Sequence, residues 1–333
     1  MRLSELKTGQ SATILNVLGH GGFRRRIMEM GFVRGKRVDV LQNAPLRDPI
    51  KYRIMDYEVS LRRSEAAMIV VITAEEVQQQ LSVAGETLSA PDDADFEEAI
   101  STRSRTINVA LIGNPNSGKT SLFNAISGGH EHVGNYSGVT VDAKRGEYRY
   151  GGYRFVITDL PGTYALSAYT PEELYVRRHL VNDTPDVVVN AVVASNLERN
   201  LYLTTELIDI DPKMVVALNM YDELEASGAV LDYEHLGAML GVPMVPVVAK
   251  TGRGLETLLD TVIAVYENRD PRVRHIHINY GADIEQSIRT LQAKIWENKD
   301  LVARYSSRYL AIRLLGDGKN IREIVASRAA NSD

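Results

Sequence analysis

The chain has 333 residues, 44% of them hydrophobic, enough to bury substantial cores and to form two or three domains. A net charge of −5 leaves no overall nucleic-acid footprint, and the absence of cysteine excludes disulfides, thiolate catalysis and cysteine-held zinc or iron–sulfur centres. Apolar runs such as 66–72 and 187–194 stop well short of a membrane span and no secretory leader is visible, so the expected location is cytoplasmic.

Residues 1–74 carry thirteen Lys and Arg against seven Asp and Glu, whereas 75–105 carry eight acids and two bases. The first segment reads as short strands and turns. Strand signals fall at Ser11–Val17, Arg37–Gln42, Ile50–Met55, Tyr57–Leu61 and Ala67–Ile72. His20-Gly21-Gly22 suggests a turn, and Arg24–Met30 a helix stopped by Gly31. Five short strands in so few residues predict a small β-barrel. Residues 75–105 follow as an acidic linker, with helix continuing through Glu75–Ser82.

From residue 106 to 268 strands alternate with helices. Apolar or β-branched runs at Ile107–Ile112, Val187–Val193, Met214–Leu218 and Met244–Val248 predict strands. Tyr148–Tyr150 and Arg154–Thr158 flank Gly151-Gly152, a hairpin signature. Helical stretches fall near 119–126, 172–181, 197–208, 233–240 and 255–266. The alternation predicts a doubly wound α/β domain with a mostly parallel sheet. Residues 269–333 lose the strand signal and predict three helices, at Ile284–Asn298, Leu301–Leu315 and Asn320–Ala329. The expected fold class is therefore multidomain: β-barrel, α/β domain, small all-α bundle.

The chemistry lies in the α/β segment. Gly113-Asn114-Pro115-Asn116-Ser117-Gly118-Lys119-Thr120 satisfies G-x4-G-K-[ST] between a predicted strand and a predicted helix. Its glycines let backbone N–H groups turn onto phosphate oxygens. Lys119 supplies a point charge to the β/γ-phosphates, and Thr120 can ligate Mg²⁺; Ser121 continues the loop into the helix. Asp159-Leu160-Pro161-Gly162 ends a strand 40 residues after Lys119, where a carboxylate can hold Mg²⁺ and the Gly162 N–H can meet a γ-phosphate. Asn219-Met220-Tyr221-Asp222 matches N-x-x-D, whose aspartate pairs with guanine N1–H and N2 and rejects adenine. Met220 stands where that motif usually has lysine, which implies modest affinity. Ala249-Lys250 fits the last base-contacting loop, loosely, and Thr140 in Gly138-Val139-Thr140 sits where a switch threonine would ligate Mg²⁺.

Thr163 follows Gly162, where many small GTPases carry the glutamine that orients water, so intrinsic hydrolysis should be slow. Glu172 and Glu173 could polarise water, but an acidic, solvated helix start is the plainer reading. Catalytic weight therefore falls on Lys119, Thr140 and Gly162.

With these residues in view, the chain resembles the cytosolic part of the FeoB ferrous-iron transporter family behind a FeoA-like domain. The carrying segments are GNPNSGKTSLFN (113–124), GNYSGVTVDAKRGEY (134–148), DLPGTYALSAYTPEE (159–173), ASNLERNLYLTTEL (194–207) and ALNMYDE (217–223). At the front they are RRRIMEMGFVRGKRV (24–38), APLRDPI (44–50) and YEVSLRRSEA (57–66). The resemblance implies an SH3-like barrel over 1–74 and a bundle like a GDP-dissociation inhibitor over 269–333. It implies GTP and GDP as ligands, with Mg²⁺ on Thr120, Thr140 and Asp159. It also implies K⁺ activation through Asn116.

FeoB proteins continue into a polytopic Fe²⁺ permease domain at the inner membrane of bacteria. This sequence stops before it, so a soluble piece or a truncated product is expected. The FeoA-like domain is expected to contact the transporter or the GTPase rather than metal. No nucleic-acid partner is expected, and self-association is left open. Val193 departs from the family pattern, which has aspartate two residues before Ser195-Asn196.

Other readings are an RNA- or ribosome-associated GTPase using Arg24–Arg26 and Arg62-Arg63, and a metal sensor in the front barrel. For the former a solvated basic face is the plainer reading, and the latter has only His20 to offer. His275 and His277 resemble a metal pair but suit a connector between domains.

Overall fold

In a computed structural model, described residues are 1–18, 21–43, 48–55, 57–83, 105–128, 131–134, 143–166, 170–274, 276–298, 301 and 305–316. The chain divides into two compact units, residues 1–105 with 286–333, and residues 106–285.

In the first unit, β1 (Ser11–Val17), β2 (Arg37–Asn43), β3 (Ile50–Ile54), β4 (Tyr57–Leu61) and β5 (Ile69–Ile72) form an SH3-like antiparallel sheet in the order β4-β3-β2-β1-β5. Alternation fixes its register. Ile50, Tyr52 and Ile54 of β3 face inward while Lys51 and Arg53 face out, as a sheet with one wet face requires. Irregularities at Ile14/Asn16 and Val40/Gln42 bend β1 and β2, so all five strands contribute to one core around Ile14, Val38, Tyr52 and Ile69.

Helix α1 runs over Gly21–Glu29 and buries Ile27 in that core. It takes in the two glycines expected to form a turn. Gly31, at φ +93°, then stops the helix as anticipated. A one-turn helix α2 (Arg63–Ala66) was not expected; Glu65 closes it by accepting from the Arg62 N–H at 2.9 Å. Helix α3 spans Ala74–Val83, and the rest of the linker up to residue 104 lies outside the described residues, as does His20.

The second unit is built on a seven-stranded sheet in the order β12-β11-β10-β6-β9-β8-β7. Its strands are β6 (Thr106–Gly113), β7 (Glu131–Gly134), β8 (Ala143–Tyr150), β9 (Tyr153–Asp159), β10 (Val187–Val193), β11 (Met214–Asn219) and β12 (Met244–Pro246). The central β10 and β11 are almost wholly buried, consistent with their parallel pairing and a sequence that is apolar apart from Asn190 and Asn219. The β8–β9 hairpin turns on Gly151 and Gly152, both at positive φ, as a tight two-residue turn demands. Residues 131–134, which carry no strand signal in the sequence, pair antiparallel with β8 at the sheet edge.

Helices α4 (Lys119–Ser127), α5 (Pro171–Arg178), α6 (Leu197–Ile210), α7 (Tyr221–Ala226), α8 (Tyr233–Leu240) and α9 (Leu255–Tyr266) complete this unit. At α5, Thr170 accepts from the Glu173 N–H and Pro171 occupies the first turn, so Glu172 and Glu173 form an acidic helix start. α7 was not anticipated, and β12 is two residues shorter than its sequence suggested.

Toward the C-terminus, α10 (Ala282–Ile295) buries Ile288 and Ile295. α11 covers only Ser307–Leu315, because Ser306 caps it by accepting from the Tyr309 N–H. Leu301 is itself helical and its carbonyl accepts from the Tyr305 N–H at 2.9 Å, while residues 302–304 lie outside the described residues. The helix predicted from Leu301 is interrupted at Tyr305-Ser306 before α11 begins. Ser307 Oγ accepts from both Gln292 Nε2 and Trp296 Nε1 at 3.1 Å, which ties α11 to α10. The helix predicted at 320–329, and His275, fall outside the described residues. Among those residues no helix is long and apolar enough to cross a membrane.

Phe123 of α4 is fully buried, and a Cβ added to Gly146 of β8 would lie 2.9 Å from its ring. Replacing Phe123 with alanine should cost about 3–5 kcal/mol, because strand and helix cannot both collapse into the vacated space. Urea unfolding that shows less than about 1 kcal/mol would contradict this packing.

Candidate functional site

The second sheet gathers the motif residues for a topological reason. β6 lies between β9 and β10, so the chain leaves it toward both sides of the sheet, and the crevice outside the strand ends opens there. Gly113 pairs with Ala191, Leu111 with Asp159, and Val193 with Asn219, which places Gly113, Asp159 and Asn219 along one carboxyl edge.

The loop from Gly113 to Gly118 is held tightly. Gly118 has φ +74° and precedes the first residue of α4; a Cβ there would lie 2.3 Å from Asn219 Nδ2. At Gly113 it would lie 2.5 Å from the Ala191 carbonyl oxygen. Asn116 also adopts a left-handed conformation, φ +67°. Ser117 Oγ and Asn114 Oδ1 are buried without a hydrogen-bond partner among the described residues. A tight loop leading into a helix start can present backbone N–H groups and a positive dipole end to an anion.

Lys119 and Asp159 are both almost buried, and Lys119 Nζ donates to Asp159 Oδ1. Thr120 Oγ1 donates to the other carboxylate oxygen at 3.1 Å. One carboxylate thus serves both the cation and the hydroxyl that the sequence singled out. Gly162 lies against the same loop, since a Cβ there would stand 3.1 Å from Pro115 Cα. Ser121 and Lys250 are exposed.

The next residue, Thr163, is buried, and its Oγ1 donates to the Ala165 carbonyl at 2.6 Å. Its hydroxyl is committed to its own turn, since it also accepts from the Ala165 N–H at 3.3 Å.

Asn219 is 1% exposed and joins three loops. Its Nδ2 donates to the Ser117 carbonyl at 3.0 Å, and its Oδ1 accepts from the Ala249 N–H at 3.2 Å. Sequence alone placed Asn219 among the ligand-facing residues; the structure adds this bracing role. Met220, at φ +55°, sets its terminal methyl against Gly118, and Asp222 is exposed in the first turn of α7. Val193 is partly exposed at the end of β10 beside Asn219. Leu160 and Pro161 continue the edge from Asp159, with the Leu160 N–H bonded to the Leu111 carbonyl. Gly138, Val139 and Thr140 lie outside the described residues.

Sequence reasoning did not single out three residues around the second loop: Tyr164, Arg199 and Glu206. The Arg199 guanidinium stacks 4.5 Å from the Tyr164 ring centre, and Glu206 accepts from the Leu166 N–H. Arg199 and Glu206 do lie in the 194–207 segment that carried the family resemblance, which was the available signal.

Three families match the chain. "Ferrous iron transport protein B" covers residues 107–262, the "FeoA domain" 1–73 and the "FeoB cytosolic helical domain" 280–332. The chain is 49% identical to the "Fe(2+) transport protein A/Fe(2+) transporter FeoB fusion protein" of Porphyromonas gingivalis, over 98% of this chain and 41% of that protein. It is 38% identical to a Staphylococcus aureus "Fe(2+) transporter FeoB", over 67% of this chain and 33% of that one. The sequence thus spans less than half the length of these relatives. Among solved structures, the cytosolic domain of T. maritima FeoB in apo form superposes with TM-score 0.62 at 32% identity, covering 67% of this chain and 86% of that one. Its GMPPNP form gives TM-score 0.61 at 33% identity, covering 66% and 85%.

Asn219→Ala should remove both bonds of the brace and leave the Ser117 carbonyl and the Ala249 N–H buried without partners. The expected loss is about 2–4 kcal/mol of folding stability, measured by chemical denaturation. A loss within about 0.5 kcal/mol would mean that the three loops do not depend on it.

Proposed function

Because the chain belongs to the FeoB family, with a FeoA domain in front of its G domain, we propose that it is the guanine-nucleotide switch of a ferrous-iron transporter. The observation that carries this reading is the convergence on one sheet edge of Lys119, Thr120 and Asp159 with the Asn219 brace. The tight left-handed turns at Asn116 and Gly118, the bulk excluded at Gly113 and the orphaned Ser117 hydroxyl suit a phosphate-binding loop. The solved relatives of the same fold include GDP and GMPPNP forms.

In this reading Gly113–Thr120 and Ser121 cradle the phosphates, Lys119 neutralises the β/γ oxygens, and the Gly162 N–H meets the γ-phosphate. Asn219, Met220, Asp222, Ala249 and Lys250 surround the base. Thr120 and Asp159, with Thr140 in Gly138-Val139-Thr140, would hold Mg²⁺, which supplies charge neutralisation to the phosphates. Asn116 would contribute to a K⁺ site. The reaction is hydrolysis of GTP to GDP and phosphate. It is slow because Thr163 is turned inward and offers water no orienting group.

The domains in this proposal are the FeoA-like barrel 1–74, linker 75–105, G domain 106–268 and helical domain 269–333. The region acts at the cytoplasmic face of the bacterial inner membrane, with Fe²⁺ as cargo of a polytopic permease domain that is its partner. An RNA-associated role is not favoured, since residues 1–73 match the FeoA domain.

Asp222 tests the base assignment most cleanly. It is exposed, so its loss does not strand a buried charge, unlike loss of Lys119 beside Asp159. The protein should bind GDP and GTP in preference to ATP, and Asp222→Ala should weaken GDP by about a hundredfold. Equal affinity of the unaltered protein for ATP, measured by calorimetry, would refute the guanine assignment. Replacing Na⁺ by K⁺ should raise phosphate release, and Asn116→Ala should abolish that difference. An identical rate in both salts would remove the K⁺ site.

A further inference from the structure

The backbone after Gly162 is tied down at several points. The Thr163 N–H donates to the Gly113 carbonyl at 3.1 Å, the Thr163 hydroxyl bonds Ala165, and the Leu166 N–H donates to Glu206. Tyr164 projects outward between these anchors, and its ring carries the Arg199 guanidinium. Arg199 is engaged twice, because its carbonyl also accepts from Asn114 Nδ2 at 3.2 Å. One residue at the start of α6 thus holds the phosphate-binding loop by its backbone and the following loop by its side chain. Gly162 lies where the two loops meet, against Pro115.

We propose that Arg199 and Tyr164, supported by Glu206, are positioning residues that set the Gly162 N–H for a γ-phosphate and so discriminate GTP from GDP. The inference rests on the nucleotide reading above. Its physical basis is differential. GDP is held by the first loop and the base contacts, which do not involve Tyr164, whereas a γ-phosphate reaches the backbone that Tyr164 restrains. An exposed guanidinium–aromatic pair of this kind supports a change of about two- to fivefold in an equilibrium.

The experiment compares fluorescent GDP and GMPPNP affinities of the full chain with those of Arg199→Ala, Tyr164→Leu, Tyr164→Phe and the Arg199→Ala/Tyr164→Leu pair. Arg199→Ala and Tyr164→Leu should each weaken GMPPNP by about two- to fivefold and leave GDP unchanged. Tyr164→Phe keeps the ring and should match the unaltered protein. The double variant should be no worse than either single one, since both remove the same contact. Equal weakening of both nucleotides, additive effects, or a defect in Tyr164→Phe would overturn the proposal.

Hydrogen exchange of residues 163–166 in nucleotide-free protein provides an independent readout. Exchange should quicken in Arg199→Ala and Tyr164→Leu, and unchanged exchange refutes the latch whatever the binding data show. If the unaltered protein binds neither nucleotide, the nucleotide reading fails, and with it the assigned GTP discrimination.

Discussion

The carboxamide of Asn219 is the constraint on which the candidate site depends. An amide sealed inside a protein must find partners, and this one finds them on two other loops, the Ser117 carbonyl and the Ala249 N–H. Three segments separated by 102 and 30 residues are thereby fixed to one another. Only glycine at 118 lets the amide approach so closely, so the loop motif and the N-x-x-D motif are sterically coupled. The parallel sheet brings the strand ends to a common edge, and Asn219 converts that proximity into a fixed geometry.

Around this brace the charges are arranged economically. Asp159 is a buried carboxylate whose two oxygens are taken by Lys119 and Thr120. A buried ion pair contributes little net stability, yet removing one partner is expensive, which keeps the three groups together. The inward Thr163 shows the same economy in reverse, since its hydroxyl satisfies its own turn rather than the crevice.

Much of this was legible in the sequence because the signals were local. β1, β4, α8 and α9 have the predicted limits, as continuous patterns of alternation or helical period allow. The phosphate-loop residues were legible because glycine spacing encodes backbone conformation directly. What escaped was non-local or short. α7 is six mostly polar residues, and β7 exists through its pairing with β8. The helix expected over Leu301–Leu315 carries apolar residues throughout, but Ser306 caps a fresh start within it, and a cap outweighs periodicity at a helix end. Tyr164 and Arg199 are 35 positions apart, and no spacing rule links an aromatic residue in a loop to a cation on a distant helix.

The double engagement of Arg199 has an evolutionary consequence. Its carbonyl bond to Asn114 is a property of the main chain and persists with almost any side chain, whereas its contact with Tyr164 belongs to the guanidinium alone. A single codon can therefore retune one linkage while leaving the other intact. Such a position lets a lineage adjust how strongly two parts of a site are correlated without rebuilding either part.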